Sequence, residues 1–177
     1  MKRIAIAAMA LAAVLPTTLG SVVLGAQDKY SVRVTDGLSF AEFKGYEDWQ
    51  TIAVSQTGEV IDVILGNPII VAAYRAGVPG DGKPFPEGAR MAKIHWKSKA
   101  SDDAPAPTTV PGVLQDIDFM VKDSRRFQES GGWGYAQFNY ESATQAFTSE
   151  GTGTNCGAAC HTIAKAKDFV FTSYPMR

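Results

Sequence analysis

Apolar and polar positions along the chain follow two periods, and the changes between them mark the elements. Phe40, Phe43, Tyr46 and Trp49 recur every three residues, which predicts an irregular or helical segment laying one apolar side on a core. Thr51 to Ser55 and Val60 to Leu65 read as strands joined by the short turn Gln56-Thr57-Gly58. Asn67-Pro68 then opens a helix, with Asn67 as its cap and Pro68 at its first position. It runs through Ile69 to Tyr74 and stops at Gly77. Its residues are mostly apolar, so it should be largely buried.

From Val78 to Gly88, Pro and Gly recur too often for regular structure, and a loop is expected. Arg90 to Lys97 alternates as a strand does, with Ala92, Ile94 and Trp96 on one face and Met91, Lys93, His95 and Lys97 on the other. Ser98 to Pro111 reads as a surface loop. Val113 to Lys122 alternates again: Val113, Ile117, Phe119 and Val121 share one face, and Leu114, Asp116, Asp118, Met120 and Lys122 the other. Asp123 to Phe127 suggests a short helical turn, broken at Gly131-Gly132. Trp133 to Tyr140 makes another strand, with Tyr135, Phe138 and Tyr140 available to the core. Near the C-terminus, Asn155 is placed to cap a helix carrying Cys156, Cys160, His161 and Ile163 and ending at Lys165-Ala166-Lys167, before a last extended stretch from Phe169 to Tyr174. The sum is an α+β domain, mainly an antiparallel β-sheet with a few helices, the cysteine-bearing helix near the C-terminus.

The N-terminus changes the compartment. Lys2-Arg3, the apolar run Ile4 to Pro16 and the small residues up to Ala26 form a secretory signal peptide with a cut expected after Ala26. An uncleaved anchor is the alternative, although the apolar run is shorter than the roughly 20 residues a membrane span needs. Residues 27–177 are then a single domain, periplasmic or secreted. Of 17 Lys+Arg and 18 Asp+Glu, cleavage removes Lys2 and Arg3 only, leaving 15 against 18 and a net charge of −3. With no basic run either, nothing marks the chain for nucleic acid.

Chemistry concentrates at Cys156-Gly157-Ala158-Ala159-Cys160-His161. Two cysteines followed at once by a histidine form the covalent haem-attachment pattern, in which thiols add to haem vinyl groups and the imidazole takes an axial position on the iron. Three small residues separate the cysteines here where two are usual. A small-loop disulfide between Cys156 and Cys160 is the alternative in an exported protein. With His161 as metal ligand, the opposite face of the iron could take Met91, Met120, Met176 or His95. Each also has a plainer reading, as core filler or as a polar strand residue, and an open sixth position for exogenous ligands is expected.

Several ordered motifs resemble the cytochrome P-460 family, which also includes the cytochrome c′-beta branch. They are Gly45-Tyr46-Glu47-Asp48-Trp49, Phe85-Pro86-Glu87-Gly88 leading into Ala92-Lys93, Val121-Lys122-Asp123-Ser124-Arg125-Arg126-Phe127, Gly132-Trp133-Gly134-Tyr135, the cysteine-histidine motif, and Phe169-Val170-Phe171-Thr172. The resemblance implies a homodimeric, sheet-rich periplasmic protein with one haem c per chain, attached through Cys156 and Cys160 with His161 as the proximal ligand. By the same resemblance Lys93 falls at the position that cross-links to the haem ring in hydroxylamine-oxidising members, and Asp118 at that of the carboxylate over the iron. Those members pass electrons from hydroxylamine to an external acceptor such as a small cytochrome. The c′-beta branch lacks the lysine link and binds nitric oxide or carbon monoxide without turnover, which is the alternative function. Two departures stand out beyond the cysteine spacing: an aspartate where the family has glutamate, and Asp62 near the place of the family's pocket arginine. By composition alone, Lys93 and Asp118 are an ordinary lysine and carboxylate on polar strand faces.

Overall fold

A computed structural model describes residues 27–34, 37–152 and 157–175. The expected signal peptide, Asn155 with its capping role, Cys156 and Met176 lie outside the described residues. Among the described residues six strands form one antiparallel sheet in sequential order. They are β1 (Gln50–Thr57), β2 (Val60–Gly66), β3 (Arg90–Ala100), β4 (Thr109–Lys122), β5 (Trp133–Glu141) and β6 (Ala146–Thr152). Consecutive antiparallel neighbours need only short connections, and Gly58, at φ 57, makes the tight turn between β1 and β2. None of the described helices is long and apolar enough to cross a membrane.

Alternation along each strand gives the sheet two unlike faces. Leu65, Ala92, Phe119 and Ala136 lie side by side across β2 to β5, and Val63, Ile94, Ile117 and Phe138 form the adjacent row. Two single-turn 3-10 helices, Phe40–Phe43 and Tyr46–Asp48, cover this face with buried Phe40, Phe43 and Tyr46, as the three-residue spacing predicted. Phe119 is the hub of that cluster: its ring stacks on Phe43 at 4.1 Å and meets Phe40 and Tyr46 edge-on at 5.2 Å. Phe119→Ala should therefore cost about 3–5 kcal/mol of stability, read as a lower denaturant midpoint with an unchanged slope.

The opposite face carries α1 (Pro68–Arg75) and the C-terminal segment. Asn67 caps α1 as expected, its side chain accepting the Ile70 N–H at 3.1 Å, and the chain turns away at Gly77 with φ 98. Burial is narrower than the composition suggested. Ile70, Val71 and Ala73 face the core, while Ile69 is 42% exposed on the outer side of the helix.

Two further expectations are corrected and two points are added. The expected loop over 98–111 is shorter, because β3 continues to Ala100 and β4 begins at Thr109. β6 is a strand the sequence reading missed. Tyr135 and Phe138 are both buried but belong to the two different cores, since they are an odd number of residues apart. The stretch from Phe169 to Tyr174 makes no strand: Asp168 and Phe169 both take left-handed backbone conformations, at φ 48 and 64, and the rest follows the surface of the second core without a ladder.

Candidate functional site

On the face opposite the phenylalanine cluster, the register aligns three rows of side chains. Ser55, Asp62, His95, Asp116 and Asn139 cross β1 to β5 in one row, Ala53, Ile64, Lys93, Asp118 and Gln137 in the next, and Met91, Met120 and Tyr135 in the third. The second and third rows, with Ser55 from the first, form the floor of a cavity of about 560 Å³, bounded on the other side by His161 and the segment from Val170 to Ser173. That volume suits a cofactor-sized ligand. Lys93, Asp118 and His161, three residues singled out from sequence, all line it.

His161 ends α2 (Ala158–His161), which continues as a 3-10 turn over Thr162–Lys167. The described helix begins at Ala158, with Gly157 at φ 93 in the cap position. Cys160, one residue before His161, is an exposed free cysteine, and Ile163 on the following turn is 83% exposed.

The imidazole of His161 lies between the Tyr135 and Phe171 rings, at centroid distances of 4.8 and 4.9 Å. Its Nδ1 donates to the Phe169 carbonyl at 2.6 Å. A carbonyl can only accept, so Nδ1 carries the proton and Nε2 presents a lone pair in the neutral ring. Burial holds the imidazole below its ordinary pKa, against the opposing pull of the Phe169 carbonyl, and so favours that neutral form. Nothing among the described residues hydrogen-bonds to Nε2. This is the donor set a haem iron needs from a proximal histidine.

Across the cavity, charge is arranged in a chain. Lys93 Nζ pairs with Asp62 Oδ2 at 3.2 Å, and that same oxygen accepts from the Ser55 hydroxyl at 3.1 Å. His95 sits between two carboxylates. Its Nδ1 lies 3.0 Å from Asp62 Oδ1, an ion-pair distance at an angle that makes no hydrogen bond, and its Nε2 is hydrogen-bonded to Asp118 Oδ2 at 3.1 Å. Asp116 Oδ1 is 3.6 Å from the same nitrogen. Burial pulls the His95 pKa down, but the Asp118 hydrogen bond and the charges of Asp118 and Asp116 outweigh it, and the net shift is upward. Asp116 is itself pushed up, chiefly by burial.

Two buried polar atoms in the cavity wall have no hydrogen-bond partner: Asp118 Oδ1 and the Tyr135 hydroxyl. Such atoms are costly unless something else meets them. Their presence in the same cavity as His161, whose Nε2 no described residue hydrogen-bonds, fits a cavity that receives a polar ligand together with a metal-bearing cofactor.

Met91 and Met120 also line the cavity, whereas His95 is committed to its carboxylates. Lys122, expected on the polar face, is almost fully buried and paired with Asp168 at 2.8 Å. Sequence reasoning missed the bridging place of His95, the Tyr135 hydroxyl and the Phe169 carbonyl. A signal for the first was present in the acidic Asp62 inside the otherwise apolar run Val60 to Leu65.

A sequence model of the family described as cytochrome P460 matches residues 15–172, most of the chain. No curated protein matches it.

Proposed function

This chain belongs to the cytochrome P460 family and is a haem protein, and on that premise we propose that it oxidises hydroxylamine in the periplasm and passes the electrons to an external acceptor such as a small cytochrome. The observation that carries this reading is Asp118 Oδ1, a buried atom without a hydrogen-bond partner on a side chain otherwise 39% exposed, in the same cavity as His161, whose Nε2 no described residue hydrogen-bonds. A gas-binding pocket gains nothing from an unpaired carboxylate oxygen. A site that must take protons from its substrate does.

Under this reading His161 is the metal ligand through Nε2, and Cys160 and Cys156 hold a haem c through thioether bonds. Lys93 is the residue placed to cross-link to the ring. When bound, the haem supplies the redox centre that takes electrons from the substrate. Oxidising hydroxylamine to the level of nitroxyl releases two protons and two electrons; the electrons go to the acceptor, and the protons need a base. Asp118 is that base through Oδ1, while His95 holds Oδ2 and so fixes which oxygen faces the substrate. Asp62 pairs with Lys93 and lies against His95. To reach a haem in the cavity Lys93 would have to leave Asp62, with which it pairs at 3.2 Å. As in its family, the working protein is a homodimer.

Protein made with cytochrome c maturation machinery tests the proposal. The expected result is hydroxylamine-dependent reduction of an acceptor dye, an unusually red-shifted ferrous haem band and a Lys93-haem peptide in the digest. An ordinary c-type spectrum with reversible nitric oxide or carbon monoxide binding and no turnover would instead assign it to the gas-binding branch.

A further inference from the structure

We propose that Lys122 and Asp168 are positioning residues for the proximal ligand, setting through the Phe169 carbonyl how strongly His161 donates to the iron. The inference rests on the reading of His161 as that ligand. Lys122 Nζ reaches both carboxylate oxygens of Asp168, at 2.8 and 3.0 Å, and donates to the Gly131 carbonyl at 3.0 Å. It also lies 5.2 Å from the centroid of the Trp133 ring. Asp168 Oδ2 accepts the Phe85 N–H at 2.8 Å, so the carboxylate is held from two sides. Both side chains are nearly buried, at 6% and 12% exposure.

A buried ion pair is weak evidence of a stabilising role, because desolvation offsets most of the attraction. What this pair does hold is an unfavourable backbone. Asp168 and Phe169 are successive non-glycine residues in the left-handed region, at φ 48 and 64, a conformation that persists only where its surroundings enforce it. The Phe169 ring fills the space beside Gly131 that a β-carbon there would occupy, which fixes the other end of the turn. The result is a Phe169 carbonyl aimed at His161 Nδ1, 2.6 Å away. A partner on the outer nitrogen orients a ligating imidazole and raises its basicity. Lys122 closes the strand that bears Asp118, so β4 sets both the base in the cavity and, through Asp168, the ligand opposite it.

The test is Asp168→Asn and Lys122→Met in the haem-loaded protein. Asparagine tolerates the left-handed conformation and can still accept from Phe85, so the first variant removes mainly the charge. The readouts are the iron-histidine stretching frequency of the ferrous protein and its midpoint potential. Both variants should lower the frequency and raise the potential. Losing an outer partner typically weakens a metal ligand by about 10–100-fold, and a tenfold weakening confined to the ferric state corresponds to about 59 mV for one electron. Lys122→Arg, which keeps the charge, should stay near the wild-type frequency. Folded variants with wild-type frequency and potential would overturn the proposal. If Lys122→Met does not fold, Asp168→Asn decides alone. Absence of any iron-histidine band in the wild type would overturn the ligand assignment instead, so the two failures are distinguishable.

Discussion

Asp118→Asn should lower hydroxylamine turnover by about 10²–10⁴-fold, the usual contribution of a positioned general base, and leave haem content and fold unchanged. The substitution keeps the side chain's shape, and an amide oxygen can still take the His95 Nε2 hydrogen bond now made to Oδ2 at 3.1 Å. What it cannot do is accept a proton at the position of the unpartnered Oδ1. The charge change also reaches His95. Its pKa is raised in the folded protein, so the stability it contributes is fully present below the ordinary imidazole value of 6.5 and is lost as pH rises through the raised value. Asp118 supplies the largest of the upward pulls on that pKa. In the variant this alkaline loss of stability should therefore begin at lower pH, which a series of thermal melts from neutral to alkaline pH would detect. Steady-state rates with an acceptor dye give the main result: wild-type turnover in Asp118→Asn would remove Asp118 from the mechanism.

The sheet was legible because β3 and β4 alternate cleanly. A strand with Met91, Lys93 and His95 on one side must present them to one neighbour row, but that Met120, Asp118 and Asp116 make up that row is fixed by a register the sequence pattern does not encode. The α1 boundaries were legible for a similar reason, since Asn67-Pro68 and Gly77 act locally. β6 was not, because Ala146 to Thr152 has a single large apolar residue, Phe147, and is held by pairing to β5 rather than by its own pattern. Lys122 misled in another way. Alternation put it on the polar face, and that face closes over at its end, where Asp168 arrives from 46 residues away to neutralise it. No sequence period encodes such a contact. The same holds for His95: its strand position was read correctly, but its place between Asp62 and Asp118 depends on β2 lying on one side and β4 on the other.

His161→Gly should abolish proximal ligation without releasing a haem held through cysteine, and turnover should fall by on the order of 10²-fold or more, since outer partners of a ligand alone account for about 10–100-fold. The argument rests on how completely the imidazole is prepared for that role. Burial favours its neutral form, the Phe169 carbonyl fixes the proton on Nδ1, and the Tyr135 and Phe171 rings flank it at 4.8 and 4.9 Å. Those restraints remain when the side chain is removed, so the variant retains a slot with an acceptor at its back and aromatic walls. Added imidazole should enter it, donate to Phe169 and present its second nitrogen to the iron. Glycine at the end of α2 costs only about 1 kcal/mol of helix stability, so the fold should survive. Absorbance titration with imidazole, followed by turnover at saturation, measures the rescue. A variant with the wild-type spectrum and rate in the absence of imidazole would show that the iron takes its proximal ligand from elsewhere, and the roles assigned to Phe169, Asp168 and Lys122 would fall with it.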